Sequence, residues 1–214
     1  MSGNLDLTPD NLKWGVYHEI GHVIVALLRF SKRGFVNGIV FGRTSKIGCG
    51  LQVSVIPEKF DFTSDEIESY AMFCLAGGVF QQMILYYELC KIGLLNNNDE
   101  ELKSGSKSEA LEKFLCGMVK AKCDGMEADY STFEEQMRKR DYPSVVDFDE
   151  IKNKTIHLLL PYIACDEVRQ LCEECVEIIL LDCKCNHIPV EIDMDLIGLY
   201  LLDNFGSIIK GQLL

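Results

Sequence analysis

The chain has 214 residues, of which 48% are hydrophobic and 25% are charged. These proportions are typical of a soluble globular protein, and the length suits one domain with a substantial core. Acidic residues outnumber basic ones by 33 to 21, so the formal net charge is −12. A charge of this sign argues against non-specific binding to nucleic acid or to an anionic membrane.

The first residues, "MSGNLDLTPDNLK", contain neither the basic start nor the apolar run of a secretion signal. The longest apolar run, at 23–28, is too short to span a bilayer. We therefore expect no membrane segment and a cytoplasmic location. In that compartment the ten cysteines are expected to be reduced thiols.

The first predicted elements are a helix and two strands. Thr8 can cap the helix, Pro9 takes its first position, and it runs to about Phe30. Apolar residues surround this helix almost completely, which predicts that it is buried and central. Strand-like segments follow at 35–42 and 50–56, and the second alternates apolar with polar residues. They predict a hairpin or a small edge sheet.

The rest of the chain is predicted to be helical. Thr63 and Glu66 form a capping box that begins a long helix ending near Cys90. Segment 95–107 has the composition of a loop. A break is expected at Pro161. The further helices are predicted at about 106–122, 127–142, 147–160, 164–182 and 191–204.

The first helix carries His18 and His22, four residues apart, with Glu19 next to the first of them. Residues at this spacing lie on one helix face, so both imidazoles can bind the same ion. HExxH is the pattern of two zinc ligands and a general base. A catalytic zinc needs a third protein ligand and keeps one position for water. Glu19 would take a proton from that water as it attacks a carbonyl.

The alternative is a core helix that carries two incidental histidines. However, the chain has only four histidines, and two of them have this spacing in apolar surroundings. Unpaired polar groups are costly there, so a metal site is the favoured interpretation. The residues alone leave the third ligand open, because His157, His187 and many acidic residues are all distant in sequence.

Four segments carry a resemblance to a known family. "YHEIGHVIVALL" (17–28) looks like the catalytic helix of the FtsH-type zinc metallopeptidases, which is typically written HEAGHA. In the same order, "GLQVSVIPE" resembles the family's G-x-x-x-x-x-P-E strand segment, "CLAGGVFQQ" its LAGRAAEE helix, and "DGMEADYSTF" its GAxNDLxxAT segment. The similarity covers roughly residues 10–140. This order is more specific than HExxH alone.

The resemblance implies a site. The aspartate of the last segment is the family's third zinc ligand, and it matches Asp129 here. His18, His22 and Asp129 would then bind one Zn²⁺ per chain, with Glu19 as the general base. The implied activity is that of a zinc metalloendopeptidase.

The resemblance also implies a fold. This is a mainly α (α+β), zincin-like peptidase domain with a small β-hairpin or edge sheet beside the active-site helix. It would form a single domain over 1–214, with a core at about 8–142 and a helical C-terminal part at about 143–214. An extended polypeptide substrate could pair with the second strand by β-augmentation. The strand residues expected to bind it are Leu51, Gln52, Val53 and Ser54.

The chain also departs from the family. It contains no GxxxxGK[ST] phosphate loop, Gln81 and Gln82 replace an acidic pair, and Ala128 replaces an asparagine. We expect a peptidase that acts alone on flexible polypeptide, or that works with a separate ATPase or unfoldase. The alternatives are a catalytically silent binding or regulatory protein of the same fold and a zinc hydrolase for a non-peptide amide. The sequence leaves the oligomeric state open.

A cysteine cluster near the end of the chain raises the question of a second zinc site. However, Cys172 and Cys175 are three residues apart in a strongly helical stretch. The favoured interpretation is that the two thiols share a buried helix face. The candidate ligands are Cys172, Cys175, Cys183, Cys185 and His187.

Overall fold

The computed structural model describes residues 9–30, 36–44, 48–55, 63–93, 126–139, 142, 147–163, 165–184 and 190–192. These residues form five helices and three strands. The helices are α1 (Pro9–Phe30), α2 (Ser64–Lys91), α3 (Met126–Lys139), α4 (Phe148–Ile163) and α5 (Asp166–Lys184). The strands are β1 (Val36–Thr44), β2 (Gly48–Val55) and β3 (Val190–Ile192). Over this part of the chain, the predicted mainly α class is confirmed.

The chain divides into two compact units. The first unit takes the chain up to Glu58 and from Asp166 onward, and it contains α1, α5 and the three strands. The second unit runs over Lys59–Cys165 and contains α2, α3 and α4. That the whole chain is one domain stays a prediction.

The first unit contains a three-stranded sheet in the order β2-β1-β3. β1 pairs antiparallel with both neighbours. Its register with β2 aligns Ile39 with Val53 and Thr44 with Gly48, and it is irregular between Val36 and Ile39. In the described sheet, β2 is therefore an edge strand.

α1 is the central helix of the first unit. It packs against β1 and β2 and also against α5. Contacts with three elements explain why its sequence is apolar on nearly every face. The observed limits of α1 match the predicted ones, and the predicted cap Thr8 lies outside the described residues. Its buried apolar residues are Val16, Tyr17, Ile20, Val23, Ile24, Val25, Ala26 and Leu28.

α2 is the central helix of the second unit and packs against α3 and α4. Its residues 70–80 are all buried. The predicted capping box is confirmed, because Glu66 N–H donates to Thr63 Oγ1 at 3.3 Å and Thr63 N–H donates to the Glu66 carboxylate at 2.8 Å. Beyond α2, Gly93 has a φ of 74°, a left-handed conformation that favours glycine and ends helices. None of the described helices has the length and hydrophobicity needed to cross a bilayer.

The break predicted at Pro161 is wrong. Pro161 lies inside α4, and the helix continues through Tyr162 to Ile163. A proline removes one backbone hydrogen bond, which matters least where only two helical residues follow. Tyr162 and Ile163 are both fully buried. Their packing keeps the last turn helical.

The start of the last predicted helix is also wrong. Residues 190–192 form β3, whose Val190 and Ile192 are opposite Phe41 and Ile39 of β1. Pairing with a strand that is distant in sequence overrides the local helical pattern here. The rest of that predicted helix, the helix predicted at 106–122 and the loop at 95–107 lie outside the described residues.

Candidate metal centre

α1 presents the His18, Glu19 and His22 side chains within about one helical turn. His18 is half-buried, whereas Glu19 and His22 are only 7% and 6% exposed. Polar side chains at this depth are costly unless they have partners. His18, Glu19 and His22 all interact with other groups of the protein, which offsets this cost.

The two imidazoles approach each other closely. Their Nε2 atoms are 3.2 Å apart, and the ring centroids are 4.8 Å apart in an edge-to-face arrangement. Two nitrogens bound at about 2.0–2.1 Å to a tetrahedral zinc would be about 3.3 Å apart. The separation is therefore compatible with two ligands of one metal. It is also compatible with an N–H···N hydrogen bond, which requires one ring to donate and the other to accept.

Asp129 lies on α3 and is half-buried. His18, His22 and Asp129 form a group that could hold a metal ion. Among the residues that the structure describes, no second set of three His, Cys, Asp or Glu side chains forms such a group. Two imidazole nitrogens and one carboxylate oxygen suit zinc and several other transition metals. The donor set therefore fits a metal without identifying it.

Within the second unit, Cys74 of α2 lies in the electrostatic environment of Asp129. Burial, together with the negative charge of Asp129, raises the pKa of the Cys74 thiol far above its usual range, against a smaller opposing effect of the hydrogen bond with Tyr70. Cys74 is therefore a neutral thiol and adds no charge beside the candidate ligand. Sequence reasoning did not single it out, because a cysteine in an apolar helix resembles ordinary core.

The predicted substrate-binding residues lie on β2. Leu51, Gln52 and Val53 pair with successive residues of β1, and Ser54 follows them. An edge strand leaves alternate backbone N–H and C=O groups available to another chain. β2 also contacts α1, the helix that carries the two histidines. The role of these four β2 residues in substrate binding stays a prediction.

The cysteine pair on α5 shares a buried face, as predicted. Cys172 and Cys175 are both buried as free thiols. Burial is the main cause that raises the pKa of both thiols, in the case of Cys175 to about 11. Neutral thiols of this kind are small core residues rather than reactive groups. The other members of the proposed cluster, namely the Cys183 side chain, Cys185 and His187, lie outside the described residues.

Comparison with known proteins identifies no relative of this chain. No protein-family model matches the chain, and neither does any curated protein or solved structure. The resemblance to the FtsH-type peptidases thus stays a prediction from four sequence segments. The residues of the candidate centre are therefore the basis for assigning a function.

Proposed function

We propose that the chain is a zinc-dependent metallopeptidase. In this proposal His18, His22 and Asp129 bind one Zn²⁺, and Glu19 is the general base. The observation that carries it is the pair of imidazole nitrogens 3.2 Å apart on α1, with buried Glu19 adjacent to the first histidine. The zincin-like fold and the β-hairpin beside the active-site helix are part of the same proposal.

Each residue has a separate role in this reaction. His18 and His22 act as neutral imidazoles, because only the neutral ring offers a lone pair to a metal. Asp129 adds a negative charge to the donor set. When bound, zinc would supply a Lewis acid that polarises the peptide carbonyl and acidifies water. Glu19 accepts a proton from the attacking water and delivers it to the leaving amine.

The proposed substrate is an unfolded or flexible polypeptide. Among the described strands, β2 pairs only with β1, so its residues 51–54 can form backbone hydrogen bonds to an extended chain on the other side. Most strands of a folded substrate are already paired within its own sheets, so a flexible chain suits this edge better. In the cell, a separate ATPase would supply unfolded chains, and the buried free thiols fit a reducing cytoplasmic setting.

Zinc content and cleavage of an unfolded, casein-type substrate test the proposal together. We expect about one zinc per wild-type chain and much less in Asp129→Ala. Glu19→Gln should keep its zinc, because Glu19 is not a ligand, and should lose cleavage. No zinc in the wild type after resupply would overturn the proposal. Equal cleavage by wild type and Glu19→Gln would overturn the role of Glu19.

A second candidate is a catalytically silent binding or regulatory protein with the same metal centre. Gln81 and Gln82 favour it, because both lie half-buried on α2 where the resembling family carries an acidic pair. Zinc bound by the wild type without cleavage of any unfolded substrate is the result expected for this candidate. Restoring both acidic residues by Gln81→Glu and Gln82→Glu tests whether that pair limits activity.

A further inference from the structure

Asp129 lies in the first described turn of α3, which covers Met126–Lys139. A metal ligand keeps a fixed position only if its neighbours in the fold hold the turn that carries it. The structure supplies such contacts immediately after Asp129.

Aromatic rings connect this part of α3 to both neighbouring helices. The Tyr130 ring meets Phe148 of α4 edge-on, with centroids 4.7 Å apart and planes at 89°. It also lies 5.5 Å from the Phe133 ring, one turn further along α3. Phe133 in turn lies 5.8 Å from Tyr70 of α2. These distances and angles are those of favourable aromatic pairs.

The electrostatic surroundings agree with this arrangement. α2 packs against α3, and Asp129 is one cause of the raised pKa of the Cys74 thiol on α2. Burial, followed by nearby negative charge, raises the pKa of the Tyr130 hydroxyl.

We propose that Tyr130 is a positioning residue for Asp129, which it holds in place through ring contacts with Phe148 and Phe133. The inference rests on the proposed metal site, and within that site Tyr130 acts through Asp129 rather than as a ligand. Residues that orient a ligand typically change metal affinity by about 10–100-fold when they are replaced. All of the contacts that carry this inference lie within the second unit.

The test compares Tyr130→Ala with Tyr130→Phe in the full chain. Zinc affinity is measured by competition with a chromophoric chelator, and the visible absorption of bound Co²⁺ reports the coordination geometry. Tyr130→Ala should weaken zinc binding about tenfold or more and change the Co²⁺ spectrum. Tyr130→Phe keeps the ring, so it should match the wild type in both measurements.

Two further variants separate positioning from a general loss of stability. Ile156→Ala removes a buried side chain of α4 two turns beyond Phe148, and it should leave the Co²⁺ spectrum unchanged. If Tyr130→Ala fails to fold, Phe148→Leu decides, because it removes the partner ring and keeps Tyr130. If the folded variant has the wild-type zinc affinity and the wild-type Co²⁺ spectrum, the positioning role of Tyr130 is overturned. The proposed function is not affected by that result. A wild type that binds no zinc overturns both this inference and the proposed function.

Discussion

At the scale of single residues, the two histidines of α1 differ from a third one elsewhere in the chain. His22 belongs to the group that could hold a metal, whereas His157 lies half-buried on α4 and outside that group. His22→Gln should reduce bound zinc to a small fraction of the wild-type content, because it removes one of three ligands. His157→Gln is the matched control and should keep the zinc. Metal analysis of both purified variants checks this, and equal contents would contradict it.

Cys175 provides a prediction about alkaline pH. Burial raises the pKa of this thiol from 9.0 to about 11, with a smaller effect from Glu174. Between these values the unfolded chain has lost the proton and the folded chain has kept it. The contribution of the protonated thiol to the free energy of unfolding is therefore fully present below pH 9. It is lost as the pH rises through about 11.

Urea unfolding under reducing conditions at pH 8, 9.5 and 11 measures this effect. The wild type should lose stability across the range, with a contribution from Cys175 of at most about 1.4 kcal/mol per pH unit. Cys175→Ala should lose stability less steeply. The variant can differ from the wild type in stability at every pH. The test is therefore the slope of the free energy of unfolding against pH. Parallel slopes for the two proteins would show that the pKa of Cys175 does not differ between the folded and the unfolded state.

At the scale of elements, the capping box of α2 can be tested by two substitutions of Thr63. Its Oγ1 accepts from Glu66 N–H and fixes the first turn of the helix. Thr63→Ala should lower the free energy of unfolding by about 1 kcal/mol, because a helix N–H loses its partner. Thr63→Ser keeps the hydroxyl and should retain most of the stability. Chemical unfolding monitored by circular dichroism measures both, and equal loss in both variants would contradict the capping role.

The elements that sequence predicts well are those with local signals. The starts of α1 and α2 follow from Pro9 and from the Thr63 capping box, which act within a few residues of the helix start. The errors involve contacts that are distant in sequence. Pro161 stays helical because Tyr162 and Ile163 are buried, and β3 forms because β1 is its partner. Neither cause can be recognised in the local pattern.

At the scale of the whole molecule, the parts of the candidate centre differ in how far sequence defines them. The pairing of His18 with His22 depends only on helical periodicity, so their spacing was sufficient to predict it. Asp129 is far from both along the chain, and periodicity does not distinguish it from other acidic residues. Its selection required the resemblance of a whole segment. The Tyr130–Phe148 contact carried no sequence signal, because it depends on how α3 and α4 pack.

Metal binding should change the stability of the whole chain. A ligand that binds only the folded state stabilises it by about 4 kcal/mol when its free concentration is a thousand times the dissociation constant. We therefore expect zinc to raise the thermal unfolding midpoint of metal-free wild-type protein, and a chelator to reverse the change. Asp129→Ala should show a much smaller shift at the same zinc concentration, because the donor set has lost its carboxylate. Equal shifts in the two proteins would mean that zinc stabilises the chain at a different site, with Asp129 outside it.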